Sequence, residues 1–149
     1  MLERVRNASS VGEIVVVVGA HPVSTDARTI HCADWARGPG ASLRCGLAAL
    51  PAEAEAAVVV LADGPRLAPQ AIERVVAAWR EGAGDVIAAS YDGNRGHPVL
   101  LARPIWSSIP DEGARELEPV LIPCDDLGPP GDVDTPTHLS GRANETGAE

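Results

Sequence analysis

Asp63 and Asp134 are the residues of this chain best suited to chemistry. Asp63 closes the run Val58-Val59-Val60-Leu61-Ala62 and is followed by Gly64-Pro65, while Asp134 lies in Gly131-Asp132-Val133-Asp134-Thr135-Pro136. The run before Asp63 has the length and β-branched content of a fully buried strand, and Gly-Pro ends it. In open α/β sheets ligands bind just beyond the carboxyl ends of such strands. An acid there is placed to hold a divalent metal against a phosphate. Each aspartate also has a plainer reading. Asp63 can cap the turn before Pro65, and Asp-Thr-Pro is an ordinary helix start with Asp or Thr as N-cap and Pro in the first turn. Both roles are compatible at the second motif, because Asp132 is available for the other.

Two further stretches carry candidate chemistry. Arg37-Gly38-Pro39-Gly40-Ala41 is a flexible loop leading to Ser42, the expected N-cap of a helix over Leu43 to Leu50. Free N–H groups at a helix start favour an anion or a base edge, and glycines let a ligand approach the backbone closely. The plainer reading is a serine N-cap after a turn. The second stretch is Gly96-His97-Pro98, in a turn-rich loop running from Asp92 to Pro98. A lone loop histidine is more often structural or solvated than catalytic.

The elements that must position these residues alternate between strands and helices. Met1 to Asn7 reads as the end of an amphipathic helix. Ile14 to Val18 reads as a buried, parallel strand and Thr29 to His31 as a short edge strand. After the Val58 to Leu61 strand, Pro69 opens a helix with Ile72, Val75, Val76 and Trp79 on its apolar face, ending near Gly82 to Gly84. Strands follow at Asp85 to Ser90, Val99 to Leu101 and Val120 to Ile122, with one helical turn at Ile105 to Ile109. The expected architecture is α/β: a Rossmann-like, doubly wound, mostly parallel sheet with helices on both faces. One domain spans 1–140, and 141–149 is a polar tail.

Composition narrows the partners. The net charge is −9, and all 12 cationic residues are arginine. An acidic chain without a basic stripe is a poor binder of nucleic acid, although a metal can supply local positive charge for a nucleotide. The core must be built without phenylalanine, from Val, Ala, Leu and Ile. No signal peptide or membrane-length apolar run is visible. The three cysteines contain no CxxC pair and leave one thiol over in any pairing. The expectation is a soluble, cytoplasmic protein with reduced thiols, each cysteine serving as a small buried hydrophobe.

Five segments in order resemble the molybdenum-cofactor nucleotidyltransferases, the MobA-like NTP transferases, most closely their cytidylyltransferase branch. They are Asp34 to Leu47, Leu61-Ala62-Asp63-Gly64-Pro65, Gly96 to Leu100, Asp111 to Arg115, and Asp132-Val133-Asp134-Thr135-Pro136. The resemblance implies a nucleotide-diphospho-sugar transferase-like fold and transfer of CMP or GMP from CTP or GTP to a phosphorylated acceptor such as molybdopterin cofactor. It implies Mg²⁺ held by Asp63 and Asp134 as the catalytic residues, and a nucleotide against Gly38, Gly40, Ser42 and Arg44. It also implies an acceptor against Gly96, His97, Pro98, Asp111, Gly113 and Arg115. In the acceptor segment Pro110 stands where the family has glycine.

Family members also begin with a strand and a Gly-rich loop carrying an Arg and a Lys that wrap the triphosphate. Here Met1 to Val5 resembles the helix that follows that loop, so the expected fold is truncated at its N-terminus. No lysine exists to substitute; Arg37, Arg44 and Arg95 are possible cations, and none sits in a loop of that kind. Without the missing strand, either the Ile14 and Val58 strands close up or two open edges remain. A second copy of the chain in a homodimer would cover such edges. Two alternatives stand beside the transferase reading: a non-catalytic cofactor-binding domain, and a related transferase for another phosphorylated small molecule.

Overall fold

The β-branched run near the N-terminus forms β1 (Val15–Val18), which pairs in parallel with β2 (Arg28–His31), Val15 opposite Arg28 and Val18 opposite His31. The computed structural model describes Gly12 and residues 15–18, 28–60 and 66–130. The helix expected over Met1 to Asn7, Ile14, Asp63 and Asp134 with the residues 61–65 and 131–136 around them, and the 141–149 tail lie outside those residues.

A second sheet contains β3 (Ala56–Val59), β4 (Val86–Tyr91), β5 (Asn94–Ala102) and β6 (Val120–Pro123), in the order β3-β5-β4-β6. β5 runs antiparallel to both β3 and β4, and β6 is parallel to β4. The sheet is therefore mixed. β3, β4 and β6 share one direction, so their carboxyl ends and the start of β5 lie along the same edge.

The reversal of β5 has a local cause. Asp92 and Gly93 both have positive φ, 55° and 78°, the conformation of a two-residue hairpin turn for which Asp-Gly is a preferred pair. The expected Asp92 to Pro98 loop is thus a two-residue turn, and the strand begins at Asn94. The β4–β5 register shifts between Ala88 and Ser90, which leaves Gly96 to Pro98 in an irregular stretch. Proline, lacking an N–H, is tolerated inside a sheet at such a place.

Among the described residues two α-helices cover the sheet. α1 (Pro39–Ala48) starts four residues earlier than the expected Leu43, with Gly38 as N-cap and Pro39 in the first turn. Ser42 is therefore not the cap; it sits inside the helix, 6% exposed. Pro39 has its φ set for a first turn, and Gly38 adopts φ 138°, where a side chain would be strained. α2 (Pro69–Arg80) follows the expected periodicity and buries Ile72, Val75 and Val76.

The alternation of side chains along a strand sorts the core into two layers. Ile87, Ala89 and Leu100 pack with Ile72, Val75 and Val76 of α2. Ala88, Val99 and Leu101 face the other way, onto Leu47 of α1 and Ile109. Each large aliphatic side chain so buried contributes about 1.5–3 kcal/mol. Three-residue 3₁₀ turns at Trp35–Arg37, Ala114–Glu116 and Asp125–Leu127, and a longer one at Arg103–Ser108, lie in the described connections.

Among the described residues β1 and β3 belong to different sheets, so these two strands do not close up on each other. α1 ties the two sheets together. It packs on the core through Leu47, and Arg28 of β2 donates to the Ala49 carbonyl at its end, at 2.7 Å.

Candidate functional site

β3 ends with Val59 opposite Val99, so the chain leaves the sheet two residues from His97. Asp63 and Asp134 are outside the described residues, but the segments that flank them meet. The Arg66 N–H donates to the Pro130 carbonyl at 2.7 Å. Arg66 follows Asp63 by three residues, and Pro130 precedes Asp134 by four.

The chain that leads from β6 to Pro130 is anchored on the same edge. Arg74 of α2 donates two 2.7 Å bonds to the Asp126 carboxylate and one of 3.3 Å to the Pro123 carbonyl. That guanidinium holds the Asp126 carboxyl below the ordinary carboxylate range. The Asp92 N–H donates to Asp125 Oδ1 at 2.5 Å, and the Cys124 N–H donates to the Ser90 carbonyl at 2.9 Å. Sequence reasoning missed Arg74, Asp125 and Asp126. The only signal was an acidic pair shortly after a strand.

Elsewhere the structure interlocks two segments expected to serve different ligands. Arg44 donates to Asp111 Oδ1 and to the Ile109 carbonyl, both at 2.5 Å, and Arg37 lies 3.3 Å from Asp111 Oδ2. The Gly40 N–H donates to the Asp111 carbonyl at 2.8 Å, while the Ala41 and Ser42 N–H groups turn back to the Gly38 carbonyl. The helix start expected to offer free N–H groups thus directs them at the protein's own carbonyls. A Cβ on Gly40 would lie 2.7 Å from the Pro110 carbonyl carbon and 2.9 Å from that of Asp111. Gly113, at φ 105°, fits against the Pro39 ring. The close approach that these glycines permit is between two backbones.

Arg95 joins the remaining acceptor-side residues. It donates to the Ala114 and Leu117 carbonyls at 2.7 Å and to that of Arg115 at 3.3 Å. This links Gly96-His97-Pro98 on β5 to the turn carrying the exposed Arg115. The Tyr91 hydroxyl donates to the His97 carbonyl at 2.7 Å. Burial pushes the Tyr91 phenol up to about 12, so it stays a neutral donor. Glycine at 96 leaves room for the Tyr91 ring, which a Cβ would meet at 2.9 Å.

The Arg44–Asp111 pair makes a pH prediction. The hydrogen bond from Arg44, with the charges of Arg37 and Arg44, holds the Asp111 carboxyl below its ordinary 3.8. A carboxyl depressed in the folded state binds its proton more readily when unfolded. Its contribution is complete above 3.8 and fades as pH falls through the lower folded value. Asp111→Asn should therefore lower the melting temperature at neutral pH and flatten its fall as pH drops below 3.8. Melting curves across that range check this, and parallel curves for the two proteins would refute it.

Among the described residues no group of three His, Cys, Asp or Glu side chains could hold a metal ion. Nor is any described helix long and apolar enough to cross a membrane.

Comparison with solved structures agrees with this architecture. The chain is similar to Rv0371c from Mycobacterium tuberculosis H37Rv, with 23% identity and a TM-score of 0.71 over 97% of this chain and 81% of that one. The same protein in complex with manganese gives 20% identity and a TM-score of 0.72, over 94% and 81%. Its homologue from Mycobacterium sp. strain JC1 gives 21% and 0.74, over 94% and 77%. No curated protein matches. These likenesses show an α/β fold. The chain belongs to the MobA-like NTP transferase domain family, which it matches over residues 1–122.

Proposed function

We propose that this protein is a divalent-metal-dependent nucleotidyltransferase that moves CMP or GMP from CTP or GTP onto a phosphorylated acceptor of the molybdopterin-cofactor class. The observation that carries the reading is the Arg66–Pro130 hydrogen bond. It joins the flanks of the two acidic motifs beside the carboxyl edge of the sheet, where α/β folds bind their ligands. The complete fold in this reading is the doubly wound, mostly parallel sheet of the nucleotide-diphospho-sugar transferases, in a cytoplasmic enzyme.

Asp63 and Asp134 would hold the metal. Their carboxylate oxygens are the hard donors that Mg²⁺ or Mn²⁺ takes, and manganese is the metal in one Rv0371c complex. The bound metal would offset charge on the α-phosphate and on the departing pyrophosphate. The acceptor phosphate is anionic at neutral pH, so no side chain has to remove a proton before it attacks the α-phosphorus. His97 then has a binding role, with Gly96, Pro98, Asp111, Gly113 and Arg115 on the acceptor side. The Gly38 to Arg44 segment borders the nucleotide, its shape held by the Arg44–Asp111 pair.

One observation favours a second reading, an acceptor-binding domain without catalysis. Arg37, Arg44 and Arg95, the cations nearest to hand for a triphosphate, all donate to the protein's own oxygens. Calorimetry separates the two. The transferase binds CTP or GTP only with Mg²⁺ or Mn²⁺ present; the binding domain takes the phosphorylated pterin alone and ignores the nucleotide.

A further inference from the structure

Cys32 follows β2 directly and is 4% exposed. Its Sγ lies 3.6 Å from the carbonyl of Ala41, one helical turn before Cys45. Cys45, on the second turn of α1, is partly exposed, and its Sγ lies 3.9 Å from the carbonyl of His31, the residue before Cys32. Each thiol thus reaches toward the backbone that carries the other, and the two side chains are neighbours. Cys124 is fully buried in the α2 layer, away from this pair.

We propose that Cys32 and Cys45 are a reversible disulfide site, closed by exchange with a low-molecular-weight disulfide such as oxidised glutathione. Cys45, the more exposed thiol, loses its proton to solvent and attacks one sulfur of the small disulfide. This forms a mixed disulfide and releases one small thiolate, which takes up a proton. The Cys32 thiolate then attacks the Cys45 sulfur and releases the second small thiol. Two protein thiols are oxidised by two electrons, and one small disulfide is reduced to two thiols. The bond staples the end of β2 to α1 and closes a loop that contains Gly38 and Gly40, which clasp Pro110 and Asp111.

Burial, reinforced by the neighbouring Cys32 thiol, raises the Cys45 thiol to about 11. The attacking thiolate is scarce at neutral pH, so the exchange rate should climb about tenfold per pH unit between 7 and 9.

The test uses the native chain with oxidised glutathione, then alkylation and tryptic digestion. Cleavage at arginine puts Cys32 in residues 29–37 and Cys45 in residues 45–66. The expected product is these two peptides joined, with Cys124 alkylated. The oxidised protein should melt about 6–12 °C higher, as a closed loop of this length implies, and dithiothreitol should reverse the shift. Cys32→Ser should leave Cys45 stably glutathionylated. Persistent mixed disulfide on Cys45 in the native chain, a link through Cys124, or a lower melting temperature on oxidation would each overturn the proposal.

Discussion

Replacing Asp63 with alanine should reduce metal-dependent nucleotide transfer by about 100- to 1,000-fold, and Asp134→Ala should do the same. The expected size follows from what the carboxylates would hold. The α-phosphate gains negative charge as the acceptor attacks, and one lost electrostatic partner at such a centre typically removes that much rate. Because both acids would grip one ion, the double variant should be little worse than either single one. Asp63→Asn tests charge apart from size, since the amide keeps an oxygen but offers the metal no charge. Pyrophosphate release in single turnovers with MnCTP or MgGTP measures the loss, and unchanged melting temperatures show that the fold survives. If either alanine variant kept transfer within about threefold of the parent, the two motifs would not share a metal. The hydrogen bond between Arg66 and Pro130 would then have only a structural role.

The second large effect lies at Gly40. A methyl group there would enter the Pro110–Asp111 peptide, with backbone rather than a yielding side chain on the far side. To make room, the two segments must part. The Gly40 N–H then loses the Asp111 carbonyl, and Arg44 is pulled from the Asp111 carboxylate and the Ile109 carbonyl. Gly40→Ala should cost about 3 kcal/mol or more and lower the melting temperature by about 6–12 °C. Gly82→Ala is the control. Its φ is +86°, but nothing lies within 4 Å of the added carbon, so only backbone strain of about 1–2 kcal/mol applies. Gly40 lies within α1 without a positive φ, so a loss there no larger than at Gly82 would mean that the two backbones part at little cost.

The sequence by itself determined the elements. Runs of Val and Ile marked β1, β4 and, two residues late, β3 (Ala56–Val59 rather than Val58 to Leu61), and apolar residues at 72, 75, 76 and 79 marked α2, because side-chain periodicity is a local property. Five short motifs in order carried the family, and the Asp-Gly pair at 92–93 already contained the signal for a tight hairpin. Only the tertiary structure decided that β5 lies between β3 and β4, since pairing with β3 joins residues some forty positions apart. It also decided the partners of the polar groups. Gly38 and Gly40 suit a ligand or a second backbone equally well by composition, and only the placement of Pro110 and Asp111 selects the backbone. Arg44 and Arg95 look like phosphate cations until the turns at 109–111 and 114–117 present their carbonyls. An arginine's target is whichever oxygens the fold leaves within reach, and that follows from packing rather than from spacing along the chain. The meeting of Arg66 with Pro130 is of the same kind. Its two residues carry no mark in the sequence, and their bond is what brings the flanks of the acidic motifs together.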